Sequence, residues 1–471
     1  MALRGGFTFT MASFAAQAIS LARTILLARL LSPHDFGIAA TFLLVVNLID
    51  MLSQMGLERV IVQDRDGDSP ALQGSVQALQ ALRGTLGTIA LLAVAWPFAV
   101  FFDQQAVLGA YLLLALVPLF GAFVHFDQHR LRRDMNFLPA SLMQFVPYAA
   151  SLAIMLGLSF FMRDYRIMLW AVIGQQATAL VLSHWLARRP YRWHWEPSRI
   201  RHIFSFGWPL FLNGVLLFAI MNGERMIVGN ALGMAELAVF TLMLNLSMTP
   251  ALVLANVAQG WFLPQLSRVQ DDAQAFRPLA HATMQASLAM ALGVAVAAAT
   301  VGPAVVDLLV GEAYRAGLAL FVWLALSQAF RIAKAGCGVV ALAKGFSGNQ
   351  LAGNLVRVGV LPLAWWWLAQ GGDLIGLAWF AIAAEAIGFA IALRLAIRNA
   401  AIPAGPVVVP ALLCALALVL IGADLLFRPV VPSLTQWLDL RQLSYVVVAL
   451  LALAAMPDLR RRLLLPGTRG A

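Results

Sequence analysis

A chain of 471 residues that is 61% hydrophobic and only 11% charged, with a mean hydropathy of +0.83, is excluded from the soluble globular class, where about a quarter of residues are charged. The 32 basic residues exceed the 22 acidic ones by ten. In a membrane protein such an excess reads as loop charge that fixes orientation, not as a nucleic-acid surface.

The chain opens with one Arg before FTFTMASFAAQAISLA and continues apolar without a small-residue cleavage site, so the first helix is expected to be retained. Polar and Pro/Gly-containing breaks then give about fourteen spans, each near the ~20 residues a bilayer requires. They fall at 7–31, 36–57, 77–102, 105–126, 139–162, 167–187, 203–230, 236–262, 282–310, 316–342, 349–370, 374–397, 405–426 and 441–457. With the N-terminus in the cytoplasm, twenty basic residues fall on the cytoplasmic side and only Arg163, Arg166, Arg315, Arg428 and Arg441 on the other. This positive-inside bias supports the alternation and puts both termini in the cytoplasm.

Between the sixth and seventh spans lies ARRPYRWHWEPSRIRH, whose Arg, Trp and Tyr suit the anionic headgroup level. It reads as the linker between two halves. A loose internal repeat agrees: shifting by 201 residues aligns Leu31 with Leu232, Ser32 with Gly233, Asp35 with Glu236 and Phe36 with Leu237. Each is a helix exit, a short turn and an acid in the first turn of the next helix, where it complements the helix dipole. Six helices separate the equivalent points, so the repeats are parallel, and transporters place substrate between such repeats. The expected domains are a lobe at 1–187, a basic linker at 188–202, a second lobe at 203–398, and two further helices with a basic tail at 399–471.

Five cations sit inside these apolar runs: Arg23, Arg225, Arg331, Lys334 and Arg357. A charge at bilayer depth costs from ~3 to more than ~10 kcal/mol, so they should face a bundle interior or aqueous cavity, which suits an anionic substrate. Arg331 and Lys334, three apart, share a helix face. They form a phosphate-site candidate, an Arg fork plus a point charge, with a salt bridge to Glu385 or Asp50 as the alternative. Arg357 is placed to face the same cavity. Arg83, near the expected start of its span, reads as a headgroup anchor. The buried acids Asp50, Glu224 and Glu385 are gating or ion-coupling candidates, each suited to pair with a cation or to take up a coupling H+ or Na+. Glu224 pairing with Arg23 would make a gate; two separate structural pairs are the alternative.

Enzymatic chemistry has little support. The chain has no nucleotide-binding Gly-rich Lys/Ser motif and no HExxH, and calls for no cofactor or metal. Cys337 and Cys414 make no ligand spacing. His125 and His129, in HFDQHRLRRD, read as solvated residues at a cytoplasmic helix end. The thirteen tryptophans, Trp365, Trp366 and Trp367 among them, read as interfacial belt residues more readily than as sugar-stacking platforms.

SLARTILLARLLSPHDFGIAATF and NGERMIVGNALGMAELAVF resemble the first-to-second helix turn and the seventh helix of bacterial polysaccharide transporters, the oligosaccharide flippase branch of the MATE-like MOP flippase superfamily. Glu224-Arg225-Met226-Ile227-Val228-Gly229 matches that family's acid-Arg-apolar-apolar-Gly stretch, whereas Val239-Phe240 replaces its usual Gly-Tyr. The resemblance implies an all-α membrane protein with two six-helix lobes in a MATE-like arrangement plus two C-terminal helices, in the bacterial inner membrane. It implies alternating-access translocation of an undecaprenyl-pyrophosphate-linked oligosaccharide (for exopolysaccharide, capsule or O-antigen), with the buried cations meeting the pyrophosphate. The expected partners are that substrate, membrane lipids and polysaccharide assembly enzymes, with no nucleic acid. The alternatives are a lipid II flippase, a cation-coupled multidrug exporter, a non-transporting subunit of a glycan assembly complex, and a membrane glycosyltransferase. The exporter would want an acidic cavity. The glycosyltransferase would need functional groups in an extracytoplasmic loop, and the longest such loop, around 427–440, offers only Arg428, Asp439 and Arg441.

Overall fold

The computed structural model describes residues 2–52, 57–64, 66–346, 348–427, 430 and 442–464, and all the regular structure among them is helical. The elements are α1 (Ala2–Leu30), α2 (Pro33–Leu52), α3 (Leu57–Gln63), α4 (Pro70–Phe101), α5 (Leu108–Leu113), α6 (Leu116–Ala122), α7 (Asp127–Arg133), α8 (Leu138–Leu158), α9 (Arg166–Leu186) and α10 (Pro197–Ala231). They continue as α11 (Met234–Arg268), α12 (Ala273–Thr300), α13 (Gly302–Val310), α14 (Leu318–Ala343), α15 (Gly348–Ala369), α16 (Leu374–Asn399), α17 (Gly405–Phe427), α18 (Gln442–Ala454) and α19 (Pro457–Leu464). Eleven apolar stretches among the described residues are long enough to cross a membrane. α10 and α15, at 35 and 22 residues, are also of spanning length. α18, expected as the fourteenth span, has 13 residues and at 1.5 Å per residue falls short of a ~30 Å hydrocarbon core. The 427–440 loop falls, apart from Phe427 and Val430, outside the described residues.

The chain forms two compact units, 1–238 and 239–471. The repeated helix exits have equal length but different chemistry. After α1, the Ser32 hydroxyl accepts from Asp35 N–H at 3.1 Å, and the Ser32 Oγ and Asp35 Oδ2 atoms lie 2.6 Å apart. After α10, Gly233 turns the chain at φ +86°, a conformation that any other L-residue adopts only with strain. Both turns place an acid, Asp35 or Glu236, in the first turn of the next helix.

In the first unit α8 packs on α1 and α9, α4 on α6, and α2 on α10. Phe42 and Phe98 meet Tyr111 edge-on, and the Tyr111 hydroxyl lies 2.6 Å from Thr41 Oγ1, which satisfies a phenol that burial would otherwise penalise. The basic segment after α9 is not simply a linker at headgroup level, because its backbone is docked on this unit. Arg188 N–H donates to Asp127 Oδ2 at 2.8 Å, and the Gln77 amide donates to Arg192 O at 2.9 Å. Arg189 donates to Asp68 at 2.8 Å, and Tyr191 packs its ring against His125 and His184. Trp193 and Trp195 are exposed, at 60% and 59%, while the main chain is held. Burial works to raise Asp127, but hydrogen bonds from Arg130 and from Arg188 N–H outweigh it and hold the carboxyl below its usual range.

This docking corrects the reading of His125 as solvated: it is 1% exposed and its Nδ1 accepts from Asp127 N–H at 3.1 Å. His129 is half-buried, and burial, reinforced by Arg132, pushes it down to about 3. Burial also lowers His125, against the opposing pull of the Asp127 carboxylate, since desolvation disfavours the charged ring.

In the second unit α14 is the axial helix, with 20 of its 26 residues buried, packed against α12 and α16 and flanked by α15 and α17. A helix surrounded in this way must be apolar all round, so the cations it carries are necessarily interior. α19 is tied back to α12: His281 Nδ1 lies 3.3 Å from Asp458, and Leu459 N–H donates to Gln285 at 2.9 Å.

Candidate functional site: buried cations in each unit

Three helices of the second unit converge on one carboxylate. Arg331 and Lys334 share a face of α14, while Gly353 and Arg357 share one of α15, and Glu385 and Gly388 one of α16, by their spacings of three and four. The two glycines make the convergence feasible. A Cβ on Gly388 would meet Gly353 O at 3.1 Å, and one on Gly353 would meet Lys334 Cδ at 3.3 Å, so a side chain there would press against the neighbouring helix or the lysine. Arg331 Nε donates to Glu385 Oε1 at 3.2 Å, Arg357 Nη1 to the same oxygen at 2.9 Å, and Lys334 Nζ to Oε2 at 2.6 Å. Arg331 Nη1 is further held by Gln328 at 3.3 Å.

The charges in this cluster do not balance. Among the described residues three cations share one carboxylate, so these four side chains carry a formal excess of two positive charges. Of its members only Arg331 and Lys334 line the adjacent cavity of about 220 Å³, together with Asn349 and Asn354. Glu385, 2% exposed, and Arg357 lie behind them. The salt bridge to Glu385, the sequence-level alternative to a phosphate site, is thus formed, but it neutralises only one of three charges.

In the first unit Arg23 is 6% exposed on α1. It donates to Ser151 Oγ on α8 at 2.7 Å and to Gln175 Oε1 on α9 at 2.9 Å. Among the described residues it makes no ion pair, so in this conformation neutral groups hold it rather than Glu224. Hydrogen bonds donated to neutral partners fix the guanidinium without cancelling its charge, which leaves its field available to an anion. Ser151 and Gln175 escape a reading of the sequence because neutral polar residues in apolar helices cost far less than charges. The QQ pair in IGQQATAL is the signal that could have found Gln175. Glu224 is buried on α10, and Arg225 Nη1 lies 3.4 Å from both Met221 O and Asn222 Oδ1.

Arg83, expected as a headgroup anchor, is partly buried. It lines a cavity of about 230 Å³ with Asp50, Glu58, Gln80, His129 and Gln176. α4 begins at Pro70, not near 77, which puts Arg83 thirteen residues into its helix, or ~20 Å from its start. Asp50 lies in the field of this arginine. Trp365 and Trp366 are exposed on α15.

Comparison with known proteins places the chain. Residues 26–318 match the family described as polysaccharide biosynthesis protein. The chain belongs to that family. Asp50, Glu224 and Arg225 fall inside the matched stretch, whereas Arg23 and the α14–α16 cluster fall outside it. A protein described as an uncharacterized membrane protein in the cps region of Klebsiella pneumoniae is 20% identical over 258 residues, covering 54% of this chain. The match spans about half the length of that curated relative, 53%. Among solved structures, the lipid II flippase MurJ in an inward closed conformation aligns with a TM-score of 0.68 at 13% identity, over 97% of this chain and 99% of that one. An inward-facing multidrug resistance MATE family transporter of the MOP superfamily aligns at 0.66 and 14% identity, over 82% of this chain and 95% of that one. This family member is therefore a multi-pass, all-α membrane protein with the MurJ- and MATE-type fold. Both solved proteins are transporters, not enzymes.

Proposed function

We propose that the chain is a flippase that moves an undecaprenyl-pyrophosphate-linked oligosaccharide from the cytoplasmic to the periplasmic leaflet of a bacterial inner membrane by alternating access. The observation that carries this reading is the positive charge at depth: Arg23 held by neutral groups, and Arg331 and Lys334 on the wall of a cavity that no acid lines among the described residues. A pyrophosphate crossing an apolar interior loses hydration worth far more than any single contact returns, and preorganised cations supply the replacement. A carrier of cationic drugs would bury the opposite sign. Glu385, Glu224 and Asp50 are the acids through which Na+ or H+ coupling would act, and both termini face the cytoplasm in this reading.

The test is genetic. In a deletion strain complemented with Arg331→Ala/Lys334→Ala at normal membrane abundance, surface glycan should be lost and lipid-linked precursor should accumulate inside. Normal surface glycan in the unmodified deletion strain would refute the flippase reading.

A further inference from the structure

Beyond binding an anion, a carrier must let it go, and the α14–α16 cluster contains a group suited to that. We propose that Glu385 is an internal competitor for the substrate's phosphate: a resident anion that shares Arg331 and Lys334 with the ligand and lowers the cavity's affinity enough for release. This rests on the anion-binding reading of the cavity given above and adds to it the control of affinity.

Arg331 and Lys334 stand between two places where an anion can sit. On the buried side is Glu385, which accepts from Arg331 Nε, Arg357 Nη1 and Lys334 Nζ at 3.2, 2.9 and 2.6 Å. On the open side is the cavity of about 220 Å³, which these two cations line with Asn349 and Asn354, neutral amides able to donate to a phosphate oxygen without adding charge. Among the described residues no acid lines the cavity, so the negative group competing with a ligand there is the one behind the cations. Arg331 and Lys334 keep 14% and 16% of their side chains exposed, against 2% for Glu385, so a ligand reaches the cations without passing the carboxylate. Arg357, behind them, donates to the same Glu385 oxygen as Arg331. It keeps the carboxylate in place when a ligand draws on the two front cations, so the competitor is always at hand to reclaim them.

A merely structural Glu385 predicts the opposite sign. If its role were to aim the cations, its loss would disorder them and weaken binding. If it competes, removing its charge strengthens binding, because a negative charge a few ångströms from a bound phosphate opposes it even at an effective dielectric constant of ~20.

The experiment uses the full chain in lipid nanodiscs and inorganic pyrophosphate as the probe, with affinity read by calorimetry. Glu385→Gln is expected to bind pyrophosphate about tenfold tighter than the wild type, and Arg331→Ala more weakly. Equal or weaker binding by Glu385→Gln overturns the competitor role while leaving the anion site standing. Absence of pyrophosphate binding by the wild type overturns both. Should Glu385→Gln not fold, Glu385→Gln/Arg357→Met restores the net charge of the cluster and is compared with Arg357→Met alone. Tighter binding by the double variant supports competition; equal or weaker binding overturns it.

Discussion

Arg23→Met is expected to cut export of lipid-linked oligosaccharide by ~30-fold or more while leaving folded protein in the membrane. The magnitude follows from truncating one partner of a desolvated charge pair, which typically costs ~2–5 kcal/mol of binding. The stability effect should be much smaller. Removing the guanidinium abolishes a desolvation cost, and what it strands, Ser151 Oγ and Gln175 Oε1, are neutral groups worth ~1–3 kcal/mol if left unsatisfied. Arg23→Lys separates charge from geometry: it keeps the positive field but cannot fork to Ser151 and to a phosphate together, so partial export is expected. The measurement is precursor accumulation alongside thermal unfolding of the purified variants. Wild-type export by Arg23→Met would remove this residue from the substrate path.

The second large effect concerns stability. Glu385→Leu should destabilise the second unit by ~3–5 kcal/mol, the cost of leaving buried charge without its counter-ion. Here three cations lose the same partner at once. Adding Arg357→Met should recover much of that loss, because it removes the most enclosed of the stranded cations and leaves two that border the cavity. Thermal melts of the single and double variants measure this. Additive losses would mean that the cluster is not one electrostatic unit.

How much of this is legible in the sequence depends on how costly each feature is. Helix positions are legible because a bilayer demands long apolar runs, and the ends of α9, α16 and α17 fall within two residues of those expected. Cations in such runs stand out for the same reason, so Arg23, Arg331, Lys334 and Arg357 can be named from the amino-acid order alone. Their partners are harder to see. Glu385 is only one of two candidate acids, since its pairing is fixed by the approach of α15 to α16 at Gly353 and Gly388, a contact 35 residues apart in sequence. Arg83 looks like an anchor because the polar opening turns of α4, PALQGSVQ, do not resemble membrane helix, although Gln73, Ser75, Val76 and Gln77 are buried. His125 looks solvated because a polar segment reads as exposed until another polar segment, here residues 188–194, is seen to cover it.

The central claim is translocation, and a leaflet-accessibility assay tests it directly. The purified chain is reconstituted into vesicles carrying undecaprenyl-pyrophosphate-linked oligosaccharide in both leaflets, and a glycan-cleaving enzyme is added outside. With the wild type, cleavage should run past the outer-leaflet pool to near completion, while Arg331→Ala/Lys334→Ala vesicles stop at that pool. Wild-type vesicles that also stop there would contradict the account.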